Sequence, residues 1–228
     1  MKITVLGAGM IGATLARRLA RRHDIALANR RGLESLQSLI NELGPNAQPG
    51  TVDEVTATAE VIVLAVPFRA VFEIPAAHFA EKIVVDATNY YPQRDGHIDS
   101  LDLGTVTSSE VAAQALPGAR LVKAFNRLNY ERLRDDARPA GDPTRIAIMI
   151  AGDDVDADRV VAKLADDAGF DALDTGNLDH DPQAVRATRR ALLERCHRDG
   201  LLLIAPLFEA PGGGTITLDG DRWRLEPA

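Results

Sequence analysis

Gly7-Ala8-Gly9-Met10-Ile11-Gly12 is the stretch that decides how this sequence is read. It follows the apolar run of residues 3–6 and opens an amphipathic stretch over residues 10–22. Each glycine has its own physical task in such a strand–turn–helix connection. Gly7 permits a tight turn, Gly9 removes the Cβ that would keep a bulky anion from the backbone, and Gly12 lets the helix pack closely on the sheet. A helix starting there presents free N–H groups and the positive end of its dipole. At the head of a βαβ unit, this combination predicts a turn that cradles a pyrophosphate, with Gly7, Gly9, Met10, Ile11 and Gly12 as its contacts.

Working outward, short apolar runs alternate with longer amphipathic ones. Strands are expected at residues 3–6, 25–28, 61–66, 83–86, 121–125, 146–150 and 170–174, with a short edge strand at 48–51. Helices are expected at 10–22, 33–43, 52–59, 70–79, 109–115 and 154–168. The runs at 61–66 and 83–86 are Val, Ile, Leu and Ala without alternation, so both of their faces should be covered. The pattern predicts an α/β fold: a Rossmann-type, doubly wound, mostly parallel sheet with helices on both faces and a short C-terminal helix and hairpin extension. Residues 89–104, rich in Tyr, Pro, Asp and Gly, read as a long loop over the sheet's carboxyl edge. With no linker before residue 176, residues 1–180 are expected to form the dinucleotide-binding domain and 181–228 an extension packed on it. That extension would hold a helix at 182–198 and a hairpin around Asp219-Gly220.

Composition narrows the function classes. The chain has 228 residues, 46% hydrophobic and 26% charged, which are globular proportions. One cysteine, Cys196, excludes an intrachain disulfide and thiolate metal centres, so no metal site is expected. The longest apolar runs, at 61–67 and 201–207, fall far short of a bilayer crossing. The opening apolar stretch is broken by glycines and followed by arginines, unlike a signal peptide. A cytoplasmic protein without a membrane partner is therefore expected. The net charge of −7 is unevenly spread, because Lys2, Arg17, Arg18, Arg21, Arg22, Arg30 and Arg31 face only Asp24 in the first 32 residues. The remainder is strongly acidic, which argues against nucleic acid as a partner but not against a nucleotide.

The end of the second strand chooses the cofactor. An NAD site places a carboxylate there to accept from the ribose 2′-OH. This chain has Asn29-Arg30-Arg31 instead. Two guanidiniums beside a neutral side chain suit a 2′-phosphate, which a carboxylate would repel, so NADP(H) is the expected cofactor. Arg17, Arg18, Arg21 and Arg22 belong to the outer face and last turn of the first helix, where cations favour its dipole, and are read as solvated.

Several blocks together resemble a known family. They are Gly7 to Gly12, Asn29-Arg30-Arg31, Ala65-Val-Pro-Phe68, Val85-Asp-Ala-Thr-Asn89, Leu116-Pro-Gly-Ala-Arg-Leu-Val-Lys-Ala-Phe-Asn126, Ala151-Gly-Asp-Asp154, Gly169-Phe170 and Asp174-Thr-Gly176. They look like the NADP oxidoreductases that include NADPH-dependent coenzyme F-420 reductase, and are similar to the cytoplasmic domain of the STEAP metalloreductases. The resemblance implies that Ala65, Val66 and Pro67, and Ala87, Thr88 and Asn89, flank the nicotinamide ribose, with Asn126 beside them. It also implies hydride transfer between NADP(H) and a deazaflavin (coenzyme F-420) or flavin-type acceptor, a small molecule. Such a transfer works by positioning and needs no side-chain acid or base. The five histidines are scattered accordingly, and His97 in the long loop is the one candidate to face a substrate.

Two other readings stay open at this stage. One is an NADPH-dependent reductase of a small carbonyl or imine, and the other is a non-catalytic NADPH sensor. The family's last helices are largely apolar, whereas residues 185–198 here hold five arginines. The apolar 201–207 stretch next to them reads either as a homodimer surface or as a core strand.

Overall fold

A computed structural model describes residues 1–178 together with 194, 197–198, 202–204, 213–219 and 222–227. In chain order the elements begin with β1 (Lys2–Leu6), α1 (Met10–Leu19), β2 (Asp24–Ala28), α2 (Gln37–Leu43), β3 (Ala47–Pro49) and α3 (Val52–Ala57). The second half of the sheet starts with β4 (Val61–Leu64), β5 (Ile83–Asp86), α4 (Pro92–Asp95), α5 (Asp99–Asp102), α6 (Ser108–Ala115) and β6 (Arg120–Lys123). Then come α7 (Tyr130–Asp135), β7 (Ile146–Gly152), α8 (Val155–Ala168), β8 (Asp171–Asp174), β9 (Leu202–Ile204), β10 (Gly213–Asp219) and β11 (Arg222–Pro227).

The strands β3-β2-β1-β4-β5-β6 are parallel neighbours in that order, and β7 joins β6 antiparallel. The chain winds outward from β1 in one direction, returns, and winds outward from β4 in the other. The crevice between β1 and β4 is therefore the switch point at which open α/β sheets take their ligands. Beyond it, β8 and β9 pair β7 in parallel, and Ala147 faces both, so they lie on opposite sides of it. β10 pairs β9 and β11 pairs β10, both antiparallel.

Period-two burial explains why the sheet needs cover on both faces. Ile3 and Val5, Ile25 and Leu27, Val61 and Val63, and Val85 pack into one core with Leu15 and Leu19 of α1 and Val161, Leu164 and Ala165 of α8. Leu6, Ala28, Ile62, Leu64 and Val84 turn to the other face, against Val55, Phe68, Phe79, Ala112 and Leu116. Helix ends are set by local chemistry. Thr51 and Thr107 close capping boxes with Glu54 and Glu110, and Gly169 ends α8 in the left-handed conformation.

The expected alternation is present, with four differences. Residues 70–79 form no α-helix but two 3-10 turns, Phe68–Glu73 and Ala76–His78, because Pro75 lacks an N–H and holds Ile74 extended. The first turn of the 33–43 helix is also 3-10, over Leu33–Leu36. The 89–104 loop contains the single-turn helices α4 and α5. Finally, α7 stands where no helix was expected, although Asn129 at its N-cap accepts from the Arg132 N–H. At the C-terminus, the hairpin closes on the pair Asp219 and Arg222, and residues 202–204 of the apolar 201–207 stretch are a sheet strand. The expected 182–198 helix lies outside the described residues except at Glu194, His197 and Arg198, which are helical and exposed. Among the described residues no helix is long and apolar enough to cross a membrane, and no cluster of metal-ligating side chains occurs.

One buried carboxyl is out of keeping with the core. Asp158 of α8 is 7% exposed and its Oδ1 has no hydrogen-bond partner. Burial, together with the nearby charges of Asp174, Asp154 and Asp153, pushes its carboxyl up to about 6. The folded chain thus keeps a proton that the unfolded chain releases near pH 4, so stability falls as pH rises from about 4 to 6 and stays reduced above. Asp158→Asn is expected to raise the melting temperature by roughly 5 °C at pH 8 and to change it little at pH 4, as read by thermal unfolding at the two pH values.

Candidate functional site

The glycine turn is the first wall of the site. Gly7 has φ +98°, and a Cβ there would lie 2.4 Å from the Ala65 carbonyl oxygen. A Cβ on Gly12 would lie 1.9 Å from the Gly7 carbonyl oxygen. Gly9 has open space around it, and as N-cap of α1 it offers no side chain to the helix's first amides. Those N–H groups remain available to an anion, and no acidic residue sits in the first turn. Here a Cβ is excluded where packing is close and absent where a ligand would approach.

The Asn29–Arg31 turn lies alongside, because the Gly7 N–H donates to the Ala28 carbonyl at 2.8 Å. Asn29 spends its amide on its own loop: Nδ2 donates to Ser35 Oγ at 2.9 Å, and Oδ1 accepts from the Arg31 N–H at 2.9 Å. The turn therefore holds its shape while Arg30 and Arg31 point outward. Both are exposed, and neither has a carboxylate partner among the described residues.

The second wall comes from three strand ends carried one residue past the sheet. Ala65 N–H donates to Leu6 O, Ala87 N–H to Leu64 O and Ala124 N–H to Asp86 O, at 2.9, 3.1 and 3.2 Å. Beneath them is a buried charge pair. Lys123 Nζ lies 3.0 Å from Asp86 Oδ2 and donates to the Thr88 carbonyl at 2.6 Å. Asp86, 0% exposed, accepts on its other oxygen from the Thr88 N–H and hydroxyl at 2.9 and 2.6 Å. This clamp fixes the loop that carries Asn89. Asn89 Nδ2 then donates to the Asn126 carbonyl at 2.9 Å, and Asn126 Nδ2 to Asn89 Oδ1 at 3.3 Å. Phe125, just before Asn126, is buried with φ +60°, a conformation that costs a side-chain-bearing residue about 1–2 kcal/mol.

These walls enclose a cleft of ≈ 560 Å³ lined by Gly9, Met10, Ile11, Ala65, Val66, Pro67, Ala87, Thr88, Asn89 and Asn126 from the expected set. Gly7, Gly12, Asn29, Arg30 and Arg31 of that set are not in the lining, although Gly7 and Gly12 pack against Ala65, which is. His97 is not part of the lining: it is exposed, and its Nδ1 sits 2.7 Å from Asp102 Oδ2. The hydrogen bonds from Tyr90 and His97 hold the Asp102 carboxyl below its ordinary range. Sequence reasoning missed the outer wall of Tyr91, Arg94, Arg127, Leu128, Asn129 and Tyr130. Its one legible signal was Asn129 as a helix cap. Arg94 lies 5.0 Å over the Tyr91 ring and forks onto Asp95. Burial opposes charge on Asp95, but the bonds from Arg94, Tyr91 N and Arg69 N outweigh it and hold the carboxyl below its usual value.

Removing one member of the clamp should strand the other. Lys123→Met leaves a buried, unpaired Asp86 carboxylate and is expected to cost about 3–5 kcal/mol in urea unfolding. The double variant Lys123→Met/Asp86→Leu is expected to recover much of that loss, since both charges are gone.

Comparison with known proteins finds relatives of this fold. The family described as NADP oxidoreductase coenzyme F420-dependent matches residues 2–90, which run from β1 through the Asn89 loop. A hypothetical protein from Sinorhizobium meliloti is 33% identical, with a TM-score of 0.67, covering 78% of this chain and 86% of that one. A candidate F420-dependent NADP reductase from Arthrobacter sp. FB24 is 26% identical, with a TM-score of 0.66, covering 88% of this chain and 96% of that one. Rat metalloreductase STEAP3 is 30% identical over 181 residues, 78% of this chain, and the chain spans 34% of that relative's length. The chain belongs with the NADP oxidoreductases, and its residues 2–90 carry the pattern of the family described as coenzyme F420-dependent.

Proposed function

We propose that the protein is an NADPH-dependent oxidoreductase that passes a hydride between NADP(H) and a deazaflavin (coenzyme F-420) or flavin-type acceptor. The observation that carries this reading is the uncapped N-terminus of α1 next to the Asn29–Arg31 turn, which holds no carboxylate and whose two arginines have no carboxylate partner among the described residues. A dinucleotide laid across the switch point would meet the α1 amides with its pyrophosphate and the two guanidiniums with its 2′-phosphate. Its nicotinamide end would then lie along Ala65 to Pro67, Ala87 to Asn89 and Asn126. The coupled amides of Asn89 and Asn126 leave lone pairs and N–H bonds that would orient a carboxamide or ribose.

When bound, NADPH supplies a hydride from its nicotinamide ring. The chain's own residues bind it, orient its ring and shape a partly enclosed space for the acceptor. Among the described residues no His, Cys, Asp or Glu lines the cleft, so the lining suits a transfer that takes its proton from solvent. Residues 1–180 are read as the unit that binds the cofactor.

The cofactor part is tested by melting the protein with each dinucleotide. NADPH at a hundredfold excess over its Kd should stabilise by about 2.7 kcal/mol. Arg30→Ala/Arg31→Ala should weaken NADPH at least tenfold while leaving NADH within about twofold, since each lost charge-assisted contact is worth roughly 1.5 kcal/mol or more. Equal losses for the two dinucleotides would contradict the 2′-phosphate assignment. NADPH oxidation against deazaflavin, FMN, ferric chelates and a carbonyl panel should show turnover with the deazaflavin or flavin. Turnover with carbonyls alone would overturn the acceptor assignment.

A further inference from the structure

Among the described residues the cleft lining holds two cations and no carboxylate, in a chain whose net charge is −7. The two cations are not equivalent. Arg94 is spent: its guanidinium forks onto Asp95 at 2.8 and 3.0 Å, donates to the Asn89 carbonyl at 2.7 Å and covers the Tyr91 ring. Arg127 forms no ion pair or side-chain hydrogen bond among the described residues, and it is exposed in the connection from β6 to α7. Its backbone is well anchored. Asn126 before it is tied to Asn89, the buried Phe125 takes the left-handed turn, and Leu128 after it is buried. An uncompensated guanidinium is thus held one residue from the Asn89–Asn126 pair, with Tyr130 also on its wall.

Resting on the acceptor assignment above, we propose that Arg127 is a specificity-determining residue that selects acceptors carrying a phosphate or carboxylate group beside the ring that takes the hydride. A guanidinium offers oxyanions a planar fork of donors, and it attracts most where no neighbouring carboxylate cancels it and low-dielectric walls limit screening. A bound dinucleotide would bring a competing anion, its own pyrophosphate. The uncapped α1 amides would take that group, which would leave Arg127 for the second molecule.

FMN and riboflavin share a ring and differ by one phosphate, so they isolate the effect. The wild-type protein is expected to reduce FMN with a kcat/KM about tenfold above that for riboflavin, and 0.5 M salt should erase the difference. In Arg127→Ala the ratio should fall to about one through KM, Arg127→Lys should restore part of it, and the Kd for NADPH should stay within about twofold of wild type. An unchanged FMN to riboflavin ratio in Arg127→Ala overturns the proposal. So does a large loss of NADPH affinity with both flavins affected alike, which would place Arg127 on the cofactor. If neither the flavins nor a deazaflavin is reduced although NADPH binds, the acceptor assignment fails by itself. Quenching of FMN and riboflavin fluorescence by the NADP⁺-loaded protein then reads the same ratio as a binding preference, and equal binding of the two, or binding of neither, overturns the proposal.

Discussion

Everything in the site depends on how closely three pieces of backbone approach one another at the switch point. The Gly7 carbonyl occupies the space a side chain on Gly12 would need, and the Ala65 carbonyl that of a side chain on Gly7. With side chains there, α1 would stand further from the ends of β1 and β4. Its free amides would then no longer share an edge with the β4, β5 and β6 loops. Close backbone packing is therefore what joins an anion-binding helix end to three strand ends that are far apart in sequence.

The rest of the cleft is held by a buried ion pair, and its energetics differ from those of a surface bridge. The Lys123–Asp86 contact is costly to desolvate and becomes favourable only because the remaining atoms are used. Asp86 accepts twice from Thr88, and Lys123 also reaches the Thr88 carbonyl. Such a network specifies geometry more than it adds stability. Asp158, in contrast, is a buried acid with an oxygen left over, and charge on it works against the fold.

The fold was largely legible because its signal is local. Val61 to Leu64 and Ile83 to Asp86 are short apolar runs that a covered parallel strand explains, and Asn29-Arg30-Arg31 follows its strand directly. Misreadings arose where a local break outweighed the apolar spacing, as at Pro75, or where a short helix depends on its cap, as at Asn129 before α7. His97 was singled out for its place in a long loop, yet its partner proved to be Asp102 and its position outside the cleft.

By itself the sequence determined the order of strands and helices, the close turn at Gly7 to Gly12 and the absence of a carboxylate after β2, since these depend on spacing and residue type within a few positions. Tertiary structure alone decided which loops meet. Tyr91 and Arg94 come to face Arg127 and Tyr130 across the sheet's edge, although more than 30 residues lie between the two pairs. It also decided that Asp95 neutralises Arg94 while Arg127 has no ion-pair partner among the described residues. The reason is physical: the charge a side chain carries is written in the chain, but whether that charge is cancelled depends on the neighbours that folding brings to it.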